Sequence, residues 1–258
     1  MSILERWLNP YYLNPTTREN IRQSVLAKPG PKYTVLDNFF RTEMLDELIR
    51  QHSFLAFNEE IDRRAPDGSW LPYDGAVVFA REGKHFGSEL FFAPEWHRYL
   101  MQLVDCHLPD PIGTEVKLRW HRPDAGGFWI HTDRGDRAMV VIAYFNKGWK
   151  VEDGGLLQLW RVDEAQAPGV PQIDGISPTE RLDVLTRYKR IRTATPGGGF
   201  PDQCAHDLVL IDQIVPVYNR VFICNYQHDP AYHSVTPSNG KERTGFVQWF
   251  GATIGRTR

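Results

Sequence analysis

The 258-residue sequence has few cysteines, little net charge and no long apolar run. Its three cysteines, Cys106, Cys204 and Cys224, are an odd number without CxxC spacing, so we expect reduced thiols and a cytoplasmic protein. The formal net charge of −2 provides no general attraction to nucleic acids or anionic membranes. No apolar run approaches the roughly 20 residues of a membrane span, and the first residues lack a signal peptide's apolar segment. We therefore expect neither nucleic acid nor a membrane as a partner.

Proline, glycine and tryptophan, in contrast, are plentiful, at 18, 21 and 8 residues. Such a composition suits a fold of many short strands joined by turns. From Gly113 onward apolar and polar residues alternate, which indicates strands with one buried face. Eight or so short strands at this spacing predict a sandwich or jelly roll with helices packed outside, a mainly β fold with flanking helices (α+β).

We expect a single domain, 1–258. Within it, 1–112 would form an N-terminal helical and strand support region, and 113–252 the jelly-roll core with an insertion at 162–206. The predicted helices are 16–27, 43–52, 93–106 and 178–191, and the predicted strands are 33–36, 115–121, 128–133, 139–145, 155–160, 207–212, 214–217, 220–226, 233–236 and 244–252. The insertion is locally basic, and is either a lid that pairs with a substrate carboxylate or a solvated helix face.

A His-x-Asp pair lies in the predicted strand 128–133. His131 and Asp133 would be at positions i and i+2, on the same face of the strand and about 6–7 Å apart at Cα, so one divalent metal could contact both. With the distant His233 they would form a two-histidine, one-carboxylate triad, which leaves coordination positions open on Fe(II). A His-x-Asp pair alone is equally consistent with a surface turn, so its interpretation depends on the surrounding residues.

Further residues follow the pair in a characteristic order. They are Tyr144-Phe145-Asn146, Asp153-Gly154-Gly155, the run Asn219–Cys224, His233-Ser234-Val235, and Arg243, ten residues after His233. This pattern, over roughly residues 115–252, resembles the Fe(II)/2-oxoglutarate-dependent dioxygenases of the prolyl-4-hydroxylase type. The resemblance implies a double-stranded β-helix (jelly-roll, cupin-like) core. It also implies a catalytic Fe(II) bound by His131, Asp133 and His233, with O2 and 2-oxoglutarate as cosubstrates and ascorbate in support.

The resemblance also assigns the cosubstrate site. Arg243 would pair with the distal carboxylate of 2-oxoglutarate, because a guanidinium fork matches a carboxylate in bidentate fashion. Tyr144 would bind the same carboxylate; the alternative is a core aromatic residue whose hydroxyl is satisfied elsewhere. His121 stands where the family often has a tyrosine, so it is either a cosubstrate contact or a structural histidine. Trp249 is expected to be a wall of the site.

The expected reaction is hydroxylation of an unactivated C–H bond with release of succinate and CO2. Asp133 favours oxygen transfer, because halogenating relatives replace this carboxylate with a small residue. A short chain without a separate recognition domain favours a small-molecule substrate, such as a free amino acid. Trp129 and Arg134, beside the metal pair, are the first candidates for substrate contacts, and Arg137 is a further one.

Three other interpretations remain open. The first is an enzyme that hydroxylates prolyl residues of a protein or peptide, since fold analogy does not determine substrate. The second is a non-catalytic jelly-roll binding protein, and the third is a zinc or iron cupin-like enzyme without 2-oxoglutarate, which would have no need of Arg243. The aromatic N-terminal arm leaves a homodimer open as well.

Overall fold

The computed structural model describes residues 1–52, 58–59, 75–78, 85–121, 123, 128–131, 133, 137–162, 208–227 and 231–251. For residues 58–59, 75–78, 128–131, 162 and 208 it describes the backbone alone. The helices are α1 (Ile3–Trp7), α2 (Pro10–Leu13), α3 (Pro15–Leu26), α4 (Thr42–His52), α5 (Ser88–Phe91) and α6 (Pro94–Leu103). The strands are β1 (Lys32–Asp37), β2 (Asn58–Glu59), β3 (Gly75–Val78), β4 (Gly113–His121), β5 (Phe128–His131), β6 (Met139–Tyr144), β7 (Leu157–Val162), β8 (Leu208–Ile214), β9 (Arg220–Asn225), β10 (Tyr232–Val235) and β11 (Arg243–Gly251).

The strands form two antiparallel sheets. The larger sheet has the order β1-β9-β6-β11-β4-β3-β2, and the smaller has the order β5-β10-β7-β8. The neighbours in both sheets run antiparallel. Helices cover one face of the larger sheet, and this arrangement confirms the predicted mainly β architecture with flanking helices.

The larger sheet separates two apolar cores because successive residues of a strand point to opposite faces. On β11, Phe246 and Phe250 pack with the helices, together with Trp7 and Trp96. Trp249 lies on the other face and packs with residues of the smaller sheet. The space between the two sheets therefore receives the odd-numbered side chains of β11, from Arg243 to Trp249.

The N-terminal region supports the larger sheet. Trp7 and Leu8 are fully buried in the core beside the helices, and Tyr12 is nearly so. Tyr11 is the exposed aromatic residue of this arm, at 63 % relative exposure. Most of the aromatic surface that suggested a dimer contact is thus used within the chain itself. No helix in the described ranges is long and apolar enough to cross a membrane.

Several strand boundaries differ from those predicted. The predicted strands 207–212 and 214–217 correspond to one strand, β8, which ends at Ile214. Pro216 follows two residues later, and a proline cannot donate a hydrogen bond to a neighbouring strand. The predicted strand 128–133 is too long, because β5 ends at His131. The predicted helix 178–191 and the insertion beyond residue 162 lie outside the described residues.

Candidate metal and cosubstrate site

Two of the predicted metal ligands are direct neighbours in the smaller sheet. His131 on β5 is the Cα partner of His233 on β10. Directly opposite positions in an antiparallel pair lie on the same face, with Cβ atoms about 4.5–5.5 Å apart. Tertiary pairing therefore brings positions 131 and 233 together. Asp133 follows the end of β5, so strand periodicity does not place it; the side chain of His131 lies outside the described part of the structure.

The backbone carbonyl of Ala231 orients the imidazole of His233. The side chain is buried, and its Nδ1 lies 2.9 Å from the carbonyl oxygen of Ala231. Since a carbonyl oxygen only accepts, Nδ1 is the donor of this hydrogen bond. A histidine whose one ring nitrogen donates to a carbonyl has its tautomer and ring orientation set for ligation through the other nitrogen.

Asp133 is held by donors from three separate segments. The Tyr226 hydroxyl and Trp249 Nε1 donate to Oδ2 at 3.0 Å and 2.9 Å. Arg137 Nη1 donates to Oδ1 at 3.0 Å. Trp249 was predicted to be only a wall and Arg137 a substrate contact, and Tyr226 was not predicted at all. Strand alternation places Trp249 on the same face of β11 as Arg243. This was the sequence signal that could have identified Trp249 as a residue of the site.

Tyr226 links Asp133 to His233. Its ring stacks on the His233 imidazole, with centroids 6.4 Å apart and planes at 10°. Burial, followed by the nearby Asp133 charge, raises the pKa of Tyr226 well above its ordinary value of 10.0, so the hydroxyl keeps its proton and donates. Among the described side chains no three His, Cys, Asp or Glu residues converge; the His131 side chain is not among these.

Arg243 is buried between two other predicted site residues. It stands opposite His121 in the β11–β4 ladder, and its Nη1 donates to His121 Nε2 at 3.1 Å. Its guanidinium carbon lies 5.2 Å from the centroid of the Tyr144 ring. Burial raises the pKa of the Tyr144 hydroxyl, although the Arg243 charge opposes this rise. The hydroxyl is therefore a neutral donor beside a cation.

The buried side chains of Tyr144 and Arg243 suit a carboxylate as their ligand. Within the described part of the chain, Tyr144 Oη and Arg243 Nε are buried without a hydrogen-bond partner. A buried polar donor without a partner costs about 1–3 kcal/mol, and a buried cation is stable only when paired. An anion with two oxygens would satisfy both groups, which matches the distal carboxylate of 2-oxoglutarate. For the metal, two imidazoles and a carboxylate are a donor set that suits Fe(II).

The Asp153-Gly154-Gly155 turn packs against the stem of Arg243. Gly155 has φ +63°, and a Cβ there would lie 2.9 Å from Arg243 Cδ. Gly154 has φ +70°, and a Cβ would lie 2.1 Å from the carbonyl oxygen of Pro237. Both positions therefore require glycine for backbone conformation and for space. The turn therefore leaves room for the stem of Arg243.

Two predicted substrate contacts cannot be placed. Arg134 lies outside the described residues, and Trp129 is described at the backbone only. Arg137, the third candidate, faces Asp133 and Glu115, with Nη2 3.6 Å from Glu115 Oε2. Its contacts are thus with the chain's own carboxylates.

Comparison with known proteins gives a match to one family over part of the chain and a similar fold in solved structures. Residues 120–192 match the model of the 2OG-Fe(II) oxygenase superfamily. No curated protein matches the chain by sequence. Solved structures with a similar fold include a Pseudomonas putida prolyl-4-hydroxylase, at TM-score 0.55 and 15 % identity, covering 91 % of this chain and 98 % of that one.

Two further structures have a similar fold. HygX from Streptomyces hygroscopicus, with nickel, 2-oxoglutarate and hygromycin B bound, has TM-score 0.52 and 11 % identity over 90 % of this chain and 86 % of that one. The carbocyclase SnoK from nogalamycin biosynthesis has TM-score 0.54 and 14 % identity over 93 % and 87 %. The predicted double-stranded β-helix core is thereby confirmed. Residues 120–192 thus match the 2OG-Fe(II) oxygenase superfamily, and the fold of the chain is similar to that of a solved prolyl-4-hydroxylase.

Proposed function

We propose that His131, Asp133 and His233 bind the Fe(II) of this oxygenase. The ladder position of His131 opposite His233, and the Tyr226 side chain that contacts both Asp133 and His233, support this assignment. When bound, Fe(II) with 2-oxoglutarate supplies the O2 chemistry that hydroxylates a C–H bond, with succinate and CO2 as coproducts. The protein supplies the orientation of ligands and substrate.

We propose that Arg243 and Tyr144 bind the distal carboxylate of 2-oxoglutarate. The observation that carries this assignment is a buried cation next to a buried, unsatisfied hydroxyl, in the part of the chain that the structure describes. His121 accepts a hydrogen bond from Arg243 and so orients its guanidinium. In this assignment His121 acts on the cosubstrate through Arg243 rather than directly.

For the substrate, we propose a free amino acid or another small molecule. A similar fold holds hygromycin B in HygX, and SnoK comes from the biosynthesis of nogalamycin. Hydroxylation of prolyl residues in a peptide is the second candidate, favoured by the likeness to a prolyl-4-hydroxylase. Trp129 and Arg134 remain the proposed substrate contacts.

Succinate formation tests the proposed function. The purified protein with Fe(II), ascorbate and 2-oxoglutarate should form succinate, at a rate that a matching substrate increases. Free amino acids and proline-containing peptides are the panel to compare. His233→Ala should abolish the formation of succinate, whereas His107→Ala, at a histidine whose side chain is 81 % exposed, should not. Equal rates in the wild-type protein and in His233→Ala would contradict the assignment.

A further inference from the structure

The Asp133 carboxylate receives two kinds of donor. Neutral donors, the Tyr226 hydroxyl and the Trp249 indole, both contact Oδ2. A charged donor, the Arg137 guanidinium, contacts Oδ1. The side chains of Arg137 and Asp133 are only 12 % and 10 % exposed, so solvent screens their interaction weakly.

We propose that Asp133 binds the metal through Oδ1, that Tyr226 and Trp249 hold its Oδ2, and that Arg137 is an internal counter-cation with which the metal competes. This inference rests on the proposed metal site. Tyr226 and Trp249 would strengthen metal binding, and Arg137 would weaken it. The three are positioning residues, since none of them is a ligand.

The geometry of Asp133 Oδ2 is set by its two neutral donors. A carboxylate oxygen has about two lone-pair directions in the carboxylate plane. Two donors at 3.0 Å and 2.9 Å use both directions of Oδ2, so this oxygen would not reach a metal without losing one of them. The two donors come from different segments, the residue after β9 and a position near the end of β11. They therefore fix the rotation of the carboxylate and direct Oδ1 to the metal.

Arg137 acts on Asp133 through its positive charge. Its guanidinium lies against the Trp249 ring, 3.8 Å from the centroid, and between Asp133 and Glu115. Three contacts hold it in place, so it remains near Oδ1 when a divalent cation arrives. Two cations beside one oxygen repel each other, and this repulsion is strong in a poorly solvated site. The guanidinium therefore neutralises Asp133 before metal binding and opposes binding afterwards.

Opposite effects on Co²⁺ affinity test this inference without any turnover. Co²⁺ binding would be measured by calorimetry on the full chain, and each variant's folding by thermal melting. Tyr226→Phe and Trp249→Phe should weaken Co²⁺ binding by about 10- to 100-fold, as is usual when a partner of a metal ligand is removed. Arg137→Gln should strengthen Co²⁺ binding several-fold and enlarge the rise in melting temperature that Co²⁺ produces. Arg137→Lys, which keeps the charge, should bind Co²⁺ with near wild-type affinity.

Matched controls are available elsewhere in the chain. Tyr218 donates to Asp46 at 2.7 Å, and Arg22 pairs with Asp105 at 2.7 Å, both without contact to the site. Tyr218→Phe and Arg22→Gln should leave the Co²⁺ affinity unchanged.

The possible failures can be distinguished. If Asp133→Ala binds Co²⁺ as tightly as the wild-type protein, the proposed metal site itself is wrong. If Asp133→Ala loses Co²⁺ but Tyr226→Phe does not change its affinity, the role of the Oδ2 donors is wrong. If Arg137→Gln weakens Co²⁺ binding as Tyr226→Phe does, the guanidinium is a scaffold and the counter-cation role is overturned.

Discussion

At the scale of single residues, the side chain of Tyr226 contacts two of the proposed metal ligands. Its hydroxyl restrains one proposed ligand, Asp133, and its ring restrains another, His233. His121 acts in the same way on Arg243, through a single hydrogen bond. The proposed ligands are thus held by residues that need not touch a metal or 2-oxoglutarate. Removing such a supporting contact commonly costs about 10- to 100-fold in metal affinity.

At this scale, affinity for 2-oxoglutarate should depend on Tyr144 and Arg243. Losing a hydrogen bond to a charged group costs about 1.5–3 kcal/mol, and each 1.4 kcal/mol is a factor of ten. Tyr144→Phe should therefore weaken 2-oxoglutarate binding to the Co²⁺-loaded protein by about 10- to 100-fold, and Arg243→Gln by more. Calorimetric titration measures both effects. An unchanged affinity in Arg243→Gln would show that the carboxylate binds elsewhere.

Strand β11 is the element on which the site depends most. Arg243 begins it and Trp249 lies near its end, so one face of one strand reaches both the proposed carboxylate site and Asp133. Its neighbours β4 and β6 supply His121 and Tyr144 in register. Asn146, two residues after β6, links this strand to the start of β11. Its side chain accepts a hydrogen bond from the Thr244 amide at 2.7 Å and donates one to the Pro216 carbonyl at 2.7 Å.

The connection of the N-terminal region to the larger sheet depends on Asn219. This buried residue has φ +60°, and its side chain accepts from the amide of Phe40 and donates to its carbonyl, both at 2.9 Å. Asn219→Ala removes both bonds and leaves two buried backbone groups unpaired, at about 1–3 kcal/mol each. We expect the free energy of unfolding, measured in urea, to fall by about 2–6 kcal/mol. Asn239 is exposed, and its side chain donates to the carbonyl of Glu152, so Asn239→Ala should lower the free energy of unfolding far less. Equal losses of stability in the two variants would contradict the proposed role of Asn219.

For the whole molecule, acid should weaken the contacts that join distant segments. Hydrogen bonds from Arg220 hold the pKa of Asp37 below 3.8, and those from Tyr218 and Lys147 do so for Asp46. A depressed folded-state pKa contributes stability that is fully present above 3.8 and is lost as the pH falls through the lower folded-state value.

The urea midpoint should therefore decline below about pH 4. The variant Asp37→Asn should be less stable than the wild-type protein at pH 7, and this difference should shrink as the pH falls, because the wild-type carboxylate becomes protonated. A difference that is constant between pH 7 and pH 2 would show that Asp37 contributes through packing alone.

The order of elements was largely predictable from the sequence. The period-two pattern from Gly113 and the helical pattern of 43–52 correspond to observed strands and to α4, because burial of one face leaves a direct mark on local sequence. The strand from 128 to 133 was predicted too long, and Asp133 lies beyond its end. Local propensity contains little information about where a ladder stops, since that depends on a partner strand distant in sequence.

By itself the sequence determined the class of fold and indicated the residue types of the proposed site, because periodicity, turn residues and the spacing of His131, Asp133, His233 and Arg243 are local or ordered along the chain. Only the tertiary structure decided which residues support them. The pairing of His131 with His233, and the meeting of Arg137, Tyr226 and Trp249 at Asp133, join segments up to 116 residues apart. Such contacts depend on strand order and register, and neither can be predicted from any one stretch of the sequence.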